Sequence, residues 1–273
     1  MCIRDRFQEH FEVNKKMWDA RVSVHVKSEF YAVEKWLKGE DKIESMTLAG
    51  LGEVKGKSIL HLQCHFGQDS LSLARMGAKV TALDFSKPAI EKGREYNEKM
   101  GLNVKFVEAN VYDIREHIEG QFDIVFASFG AICWLPDLEA YAKIVDDYLK
   151  PRGVFLLAEF HPCLYLFDFD TKKVAYPYFE KPNMEPELDD DEGTYTDGGD
   201  GMAGGSYFWP HSLQETFSAF LNQGLQIEQF KEYPYSPWNC FPNMVETGNR
   251  EFVFGGFGVS FPHTFVLKIR KDG

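Results

Sequence analysis

The 273-residue sequence predicts a doubly wound α/β fold: a mostly parallel sheet with helices on both faces. Three observations carry this. Between residues 56 and 160, short runs of β-forming residues alternate with helical stretches. The runs are apolar throughout, as strands covered on both faces must be. The connections are short, so each crossover is right-handed and returns to a parallel neighbour.

The elements follow in order. Residues 58–64 read as a buried strand, and residues 68–76 as a helix with Leu71, Leu73 and Ala74 on one side. Residues 78–84 form the next strand, and residues 87–100 a helix closed by the breaker Gly101. A third strand spans 103–108, with Val104, Phe106 and Val107 apolar, and a fourth spans 122–127. A helix at 138–149 and a strand at 154–158 complete the alternation. Regularity returns with a helix at 211–222, ended by Gly224, and strands at 225–232 and 263–269. Residues 7–37 look helical and place Trp18, Arg21, His25, Ser28 and Tyr31 on one face, by spacings of three and four. That face either packs on the sheet or closes over a ligand.

Residues 161–210 break the pattern with Pro, Gly, acids and many aromatics. Tyr165, Phe167, Phe169, Tyr176, Tyr178, Phe179, Tyr207, Phe208 and Trp209 make the segment too apolar for a disordered loop. It reads as an insertion, a lid, over the carboxyl ends of the strands. The domain reading is a helical cap at 1–55, a core at 56–160 and 211–273, and the lid at 161–210. The opening residues 1–6 fit no pattern.

Charge and composition exclude several classes. The formal charge is −12, and no Lys or Arg occurs between Lys181 and Lys231, whereas Glu185, Glu187, Asp189, Asp190, Asp191, Glu192, Asp197 and Asp200 crowd that stretch. Nucleic acids and anionic membranes both demand Lys and Arg, so neither partner is expected. No apolar run reaches the ~20 residues of a membrane span, and no secretory leader is evident. Five cysteines (Cys2, Cys64, Cys133, Cys163 and Cys240) form no Cys-x-x-Cys pair. That favours a reducing, cytoplasmic setting, with a small-molecule substrate and a monomer or homodimer. No three histidines or acids share a ligand spacing, so no metal is expected.

Ligands of doubly wound sheets sit beyond the strand carboxyl ends, where the strand order reverses. The first strand-to-helix turn is Gln63-Cys64-His65-Phe66-Gly67, and Asp84 ends the second strand seventeen residues beyond Gly67. An acid there can accept both hydroxyls of an adenosine ribose. A dinucleotide site needs G-x-G-x-x-G to approach a pyrophosphate, and this turn has a single glycine. S-adenosylmethionine carries no pyrophosphate and tolerates bulkier residues, so a turn lined by Gln and His could reach its methionine end.

Residues 58–160, with the first motif LHLQCHFGQDSLSLARMGA, resemble a class I S-adenosylmethionine-dependent methyltransferase of a bacterial small-molecule group. The resemblance implies a Rossmann-like methyltransferase sheet with a final antiparallel strand. It implies cofactor contacts at His61 through Gly67 (Gln63, Cys64, His65 and Gly67 among them), at Gln68, and at Asp84 with Phe85 and Ser86. Asn110 and Val111 correspond to the adenine edge, and residues 122–128, ending in Ser128, to the fourth-strand motif. Residues 149–153 resemble the turn before the fifth strand. Tyr31 is the expected contact from the N-terminal helix. His61 stands where such proteins usually carry an acid, and Gln63 and His65 replace two usual glycines.

Methyl transfer is an in-line displacement that positioning and water exclusion can accelerate. Where a base is needed, Glu159 and His161 at the fifth strand's end and His211 at a helix start are the candidates. His211 could equally be a helix-entry residue packed against Trp209. His25 and His117 are expected at the surface. The aromatic segment suits an aromatic acceptor or, with its acids, a cationic amine, leaving O- and N-methylation open. A non-catalytic S-adenosylmethionine-binding module and an NAD-dependent oxidoreductase are the alternatives.

Overall fold

A computed structural model describes residues 3–273 except 41, 169, 180, 191, 203, 249 and 258. Cys2, Phe169 and Asp191 therefore lie outside the described residues. One sheet is built from β1 (Ser58–Leu62), β2 (Lys79–Asp84), β3 (Lys105–Glu108), β4 (Phe122–Ser128), β5 (Leu149–Phe160), β6 (Gln226–Tyr233) and β7 (Thr264–Arg270). Its order is β6-β7-β5-β4-β1-β2-β3. Neighbours from β3 through to β5 pair in parallel, whereas β7 runs antiparallel to both β5 and β6. The fold is thus the doubly wound, mostly parallel sheet the sequence predicts, with its antiparallel strand in place. The order reverses between β1 and β4, which fixes where a crevice can open.

After a single turn of helix at Ile3–Arg6, the helices are α1 (Gln8–His25), α2 (Val33–Leu37), α3 (Ser45–Leu51), α4 (Gln68–Arg75), α5 (Lys87–Lys99), α6 (Leu138–Tyr148) and α7 (Leu213–Leu221). Alternation along the strands splits the core into two layers. Leu60, Leu62, Val125, Ala127, Phe155 and Leu157 pack with α6 and α7. Ile59, Val80, Ile124, Phe126 and Leu156 pack with α2 through α5. Side-chain caps start three of the helices: Ser86 accepts from Ala89 N, Asp137 from Ala140 N, and Ser212 from Glu215 N.

Three details depart from the sequence reading. Helix α1 stops at His25, and the chain turns through residues 26–32 before α2, so Ser28 and Tyr31 lie beyond the helix. Strand β5 starts earlier than expected, pairing Leu149 with Phe122, then bulges before Val154 pairs with Ile124. The bulge contains Arg152 at φ 63°. Residues 234–262, which carry no predicted element, contain the antiparallel hairpin Met244–Gly248 with Glu251–Phe254. Segment 161–210 holds two short antiparallel pairs, Phe167–Asp168 with Lys173–Val174 and Glu187–Asp189 with Ser206–Phe208.

The N-terminal region and segment 161–210 are stitched together by polar contacts. The Asn14 amide behaves as an extra strand residue, donating to Tyr207 O (2.7 Å) and accepting from Tyr207 N (2.7 Å). The Asp197 carboxylate accepts from Glu29 N (3.0 Å) and Phe30 N (3.2 Å). The Tyr31 and Tyr195 hydroxyls lie 2.6 Å apart. Below them, Trp36 is fully buried and donates from Nε1 to Ser72 Oγ at 2.8 Å, locking α2 onto α4.

Gly93 lets α5 lie directly against Phe106 of β3. A Cβ there would sit 2.6 Å from the Phe106 ring and 3.0 Å from Phe66 O. Helix propensity favours Gly93→Ala by ~1 kcal/mol, but overpacking costs about 1–3 kcal/mol. The variant should therefore unfold at lower denaturant concentration than the parent; a raised midpoint would show that Phe106 yields freely.

Candidate functional site

A cavity of about 680 Å³ opens beyond the carboxyl ends of the parallel strands, the size of a small-molecule pocket. Its floor begins with the turn after β1. Gln63 (φ 54°), His65 (φ 52°) and Gly67 (φ 74°) all occupy the left-handed region. Two non-glycine residues thus hold a backbone shape that glycine adopts without strain, at about 1–2 kcal/mol each. Gly67 has no alternative, because a Cβ would meet the Phe106 ring at 2.4 Å.

Hydrogen bonds hold this turn. The Asp84 carboxylate accepts from His65 N through one oxygen and from Ser86 N through the other, each at 2.8 Å. Cys64 N donates to Leu83 O, and the Gln63 amide donates to Ala131 O at 2.7 Å. Burial pushes the Asp84 carboxyl up to about 6, against the pull of its two N–H donors. Each carboxylate oxygen has a further lone pair, and Asp84 lines the cavity.

The structure brings most of the sequence-predicted cofactor residues to this cavity. Gln63, Cys64, His65, Gly67, Gln68, Asp84, Phe85, Asn110, Val111, Ser128 and Tyr31 all line it. Ser86 does not: it is buried and caps α5. Asn110 also caps, its Oδ1 accepting from Tyr112 N at 3.0 Å. Cys64 is buried, which pushes its thiol well above the usual range. Gln68 donates to Tyr31 O at 2.9 Å, tying α4 to the turn that follows α1.

His61 is buried on the α4 side, with Nδ1 2.7 Å from Ser70 Oγ and its ring against Phe126. Burial depresses it to about 3, so it is neutral near pH 7. Beside it, Asp69 accepts from Ser128 Oγ at 3.1 Å, and burial raises its carboxyl to about 6. Sequence reasoning passed over Asp69 because it falls inside a helical pattern.

His25 corrects an expectation. It is fully buried rather than at the surface, its Nδ1 2.9 Å from His65 Nε2 and its Nε2 2.8 Å from Thr194 Oγ1. Burial, reinforced by His65 and Arg21, depresses it to about 2, while burial and Arg21 depress His65 to about 3. His117 is exposed, as expected.

The three catalytic candidates lie off the large cavity, and Glu159 and His211 line a smaller pocket that shares Cys133, Phe160, Tyr165 and Phe208 with it. The Glu159 carboxylate is consumed by the backbone N–H groups of Gly130, Ala131, Ile132 and Phe160. It shapes the loop after β4 and has no room to take a substrate proton. His161 accepts from Cys163 N at 3.1 Å, and its Nε2 lies 2.9 Å from Glu232. His211 is clamped between Glu215 (2.8 Å) and Leu135 O (2.7 Å), so both ring nitrogens serve the fold. A strand-end position predicted exposure to the crevice, but Glu159 turns to backbone N–H groups, and the two histidines pair with Glu232 and Glu215.

Aromatic rings wall the far side. Trp238 meets Phe129 edge-on at 4.4 Å between centroids, Phe160 meets Phe241 at 5.0 Å, and Trp18 meets Trp134 at 5.6 Å. Tyr165, Phe167, Tyr176 and Phe208 from segment 161–210 line the cavity, while Trp209 is buried behind it and Phe179 is exposed. Trp238, Cys240, Phe241 and Arg250 come from residues 234–263, a contribution missed from sequence. That stretch is as aromatic as 161–210, which was the available signal. Among the described residues, no helix is long and apolar enough to cross a membrane, and no group of three His, Cys, Asp or Glu is placed to hold a metal ion.

Comparison with known proteins follows the same geography. Residues 59–153, which carry β1 through the start of β5, match a methyltransferase domain family. An uncharacterized methyltransferase of Synechocystis sp. is 31% identical over 134 residues, 47% of this chain and 59% of that protein. A ubiquinone biosynthesis O-methyltransferase of Xanthomonas euvesicatoria is 30% identical, over 39% of this chain and 44% of that protein. Phosphoethanolamine N-methyltransferase 1 of Triticum aestivum is 29% identical, over 63% and 35% respectively. The chain thus spans 35% to 59% of the length of these three relatives. Among solved structures, an S-adenosylmethionine-dependent methyltransferase from Mesorhizobium loti superposes with TM-score 0.56 at 19% identity, covering 86% of this chain and 100% of that one. The DhpI–SAH complex gives 0.55 at 16% identity, covering 96% and 97%. At these identities the likeness is one of fold.

Two outcomes test the site's polar framework. Glu159→Gln turns an NH2 toward backbone N–H donors, so it should cost about 1–3 kcal/mol in a denaturant melt; unchanged stability would show that the four N–H contacts do not hold the loop. His25 binds a proton below pH 6.5 when unfolded but, once buried, only near 2. Its contribution is therefore complete above pH 6.5 and is lost as pH falls toward 2. Asp69 and Asp84 act oppositely between about pH 4 and 6, because their folded carboxyls are raised. Replacing His25 by Asn should flatten the fall of Tm between pH 6.5 and 4.

Proposed function

We propose that this chain, whose residues 59–153 are a methyltransferase domain, moves a methyl group from S-adenosylmethionine to a small acceptor. The observation that carries the reading is the single cavity in which the turn after β1, Asp84 and an aromatic chamber meet. Its donor set suits the cofactor. Asp84 keeps lone pairs free for two ribose hydroxyls, Phe85 and Val111 offer apolar contact to a purine, and Gln63 Oε1 is buried with no partner. No run of glycines is present to admit a pyrophosphate, which disfavours NAD.

In this reading Asp84 holds the ribose, Phe85, Asn110 and Val111 frame the adenine, and residues 63–68 with Ser128 and Tyr31 hold the methionine end. The bound cofactor supplies an electrophilic methyl group on a sulfonium. Phe129, Trp134, Phe160, Tyr165, Trp238 and Phe241 orient the acceptor and keep water from it. Residues 161–210 and 234–263 act as the lid, anchored to α1 through Asn14 and to the following turn through Asp197. The cavity-lining His61 and His65 are both held near 3 and are weak bases. Rate enhancement then comes mainly from placement and desolvation.

The acceptor is a small aromatic or amine-bearing molecule, methylated at oxygen or nitrogen. Ring walls support both, since they stack on planar groups and attract cations. The names of two relatives, an O-methyltransferase and an N-methyltransferase, are consistent with either.

The test is incubation with a metabolite extract and methyl-labelled S-adenosylmethionine. Label should pass to a small product; label confined to the cofactor would make the chain a binding module. Asp84→Ala should weaken binding of S-adenosylhomocysteine by about 1–3 kcal/mol in calorimetry. Unchanged affinity would remove Asp84 from the ribose.

A further inference from the structure

We propose that the acceptor half of the cavity takes a cationic amine, drawn in by carboxylates at the mouth and held by uncovered aromatic faces. The inference rests on the methyltransferase reading above and narrows its acceptor. The rings that line this half meet at steep angles rather than stacking. Phe129 and Trp238 stand at 88°, Phe160 and Phe241 at 82°, and Phe160 and Trp238 at 69°. Rings crossed this way do not cover one another as stacked rings do, and an uncovered face attracts an alkylammonium group. Among the described residues, no Lys or Arg of the chain sits over Phe129, Phe160 or Trp238.

Charge around the rings is left over with one sign. Three cations line the cavity, and each has an acid beside it. Arg250 lies 3.7 Å from Glu44, Lys42 lies 2.9 Å from Glu40, and Arg21 is attracted by Asp189. Carboxylates remain in excess: Asp168, Asp170, Asp190 and Glu192 also line the cavity, and no Lys or Arg pairs with them among the described residues. Asp170, Asp190 and Glu192 are exposed, so they act by long-range attraction that salt screens rather than as fixed ion pairs. Behind the rings, the buried Glu159 carboxylate adds to burial in pushing the Cys133 thiol and the Tyr165 hydroxyl up, so its negative field reaches the chamber wall. A phenolate or carboxylate acceptor thus meets only cations that already have an acid beside them, whereas an ammonium group meets ring faces and spare carboxylates. In the transfer, the ammonium gives one proton to water, and the nitrogen lone pair forms the new N–C bond. The C–S pair stays on sulfur, so a methylated amine, S-adenosylhomocysteine and one proton are released.

Calorimetry on the chain loaded with S-adenosylhomocysteine separates the outcomes, using benzyltrimethylammonium, benzylamine, benzyl alcohol and benzoate at neutral pH. Both cations should bind about fivefold to thirtyfold more tightly than benzyl alcohol, and benzoate more weakly still. Trp238→Leu should lose about fivefold or more of the benzyltrimethylammonium affinity, while Trp238→Phe keeps most of it. The combined variant Asp168→Asn, Asp170→Asn, Asp190→Asn and Glu192→Gln should flatten the salt dependence of cation binding. Unchanged binding of S-adenosylhomocysteine reports that each variant is folded. Benzyl alcohol or benzoate binding as tightly as the cations would overturn the amine, as would binding of none of the four, and both results leave the methyltransferase reading standing. In the extract assay, a labelled product retained by a cation exchanger supports the amine, and a neutral or anionic one overturns it. Failure to bind S-adenosylhomocysteine at all would overturn both readings.

Discussion

The carboxylate of Asp84 is the contact on which the site depends. By accepting from His65 N and Ser86 N it fixes the end of β2 to the turn after β1 and to the start of α5. That turn visits the left-handed region three times, twice with non-glycine residues. Without an external acceptor for its N–H groups such a backbone would relax, and the cavity floor would relax with it. The cost is a carboxyl raised to about 6 by burial, which a ligand hydroxyl pair would offset.

A second buried carboxylate performs the equivalent task on β5, three strands across the sheet from β2. Glu159 gathers the N–H groups of Gly130, Ala131 and Ile132 from the loop after β4 and of Phe160 at the end of β5. Together the two acids shape both lips of the crevice at the point where the strand order reverses. Strand-end acids in this fold can therefore serve as backbone receptors. Distinguishing that role from chemistry requires counting their donors.

The roof is built differently. Asn14 completes a strand edge, Asp197 accepts two backbone N–H groups, and Tyr31 meets Tyr195. These contacts join segments more than 160 residues apart in sequence. They bring Arg21, His25 and Tyr31 over the same turn that Asp84 supports, so roof and floor converge on one ligand volume.

The sheet was legible because its signal is local: apolar strands and amphipathic helices announce themselves within ten residues. The turn after β1 and Asp84 were legible too, since they sit at fixed offsets from those strands. The roles of Glu159, His161 and His211 were not, because a side chain's partners come from loops that the sequence does not align with it. His25 was misjudged for the same reason: its burial is created by Thr194 and His65, far away along the chain. The sequence by itself determined the layer order and the position of the crevice. Only the tertiary structure decided which polar groups are spent on backbone and which, like Asp69, face the cavity. Hydrogen-bond valence is finite, and its allocation depends on contacts between distant segments.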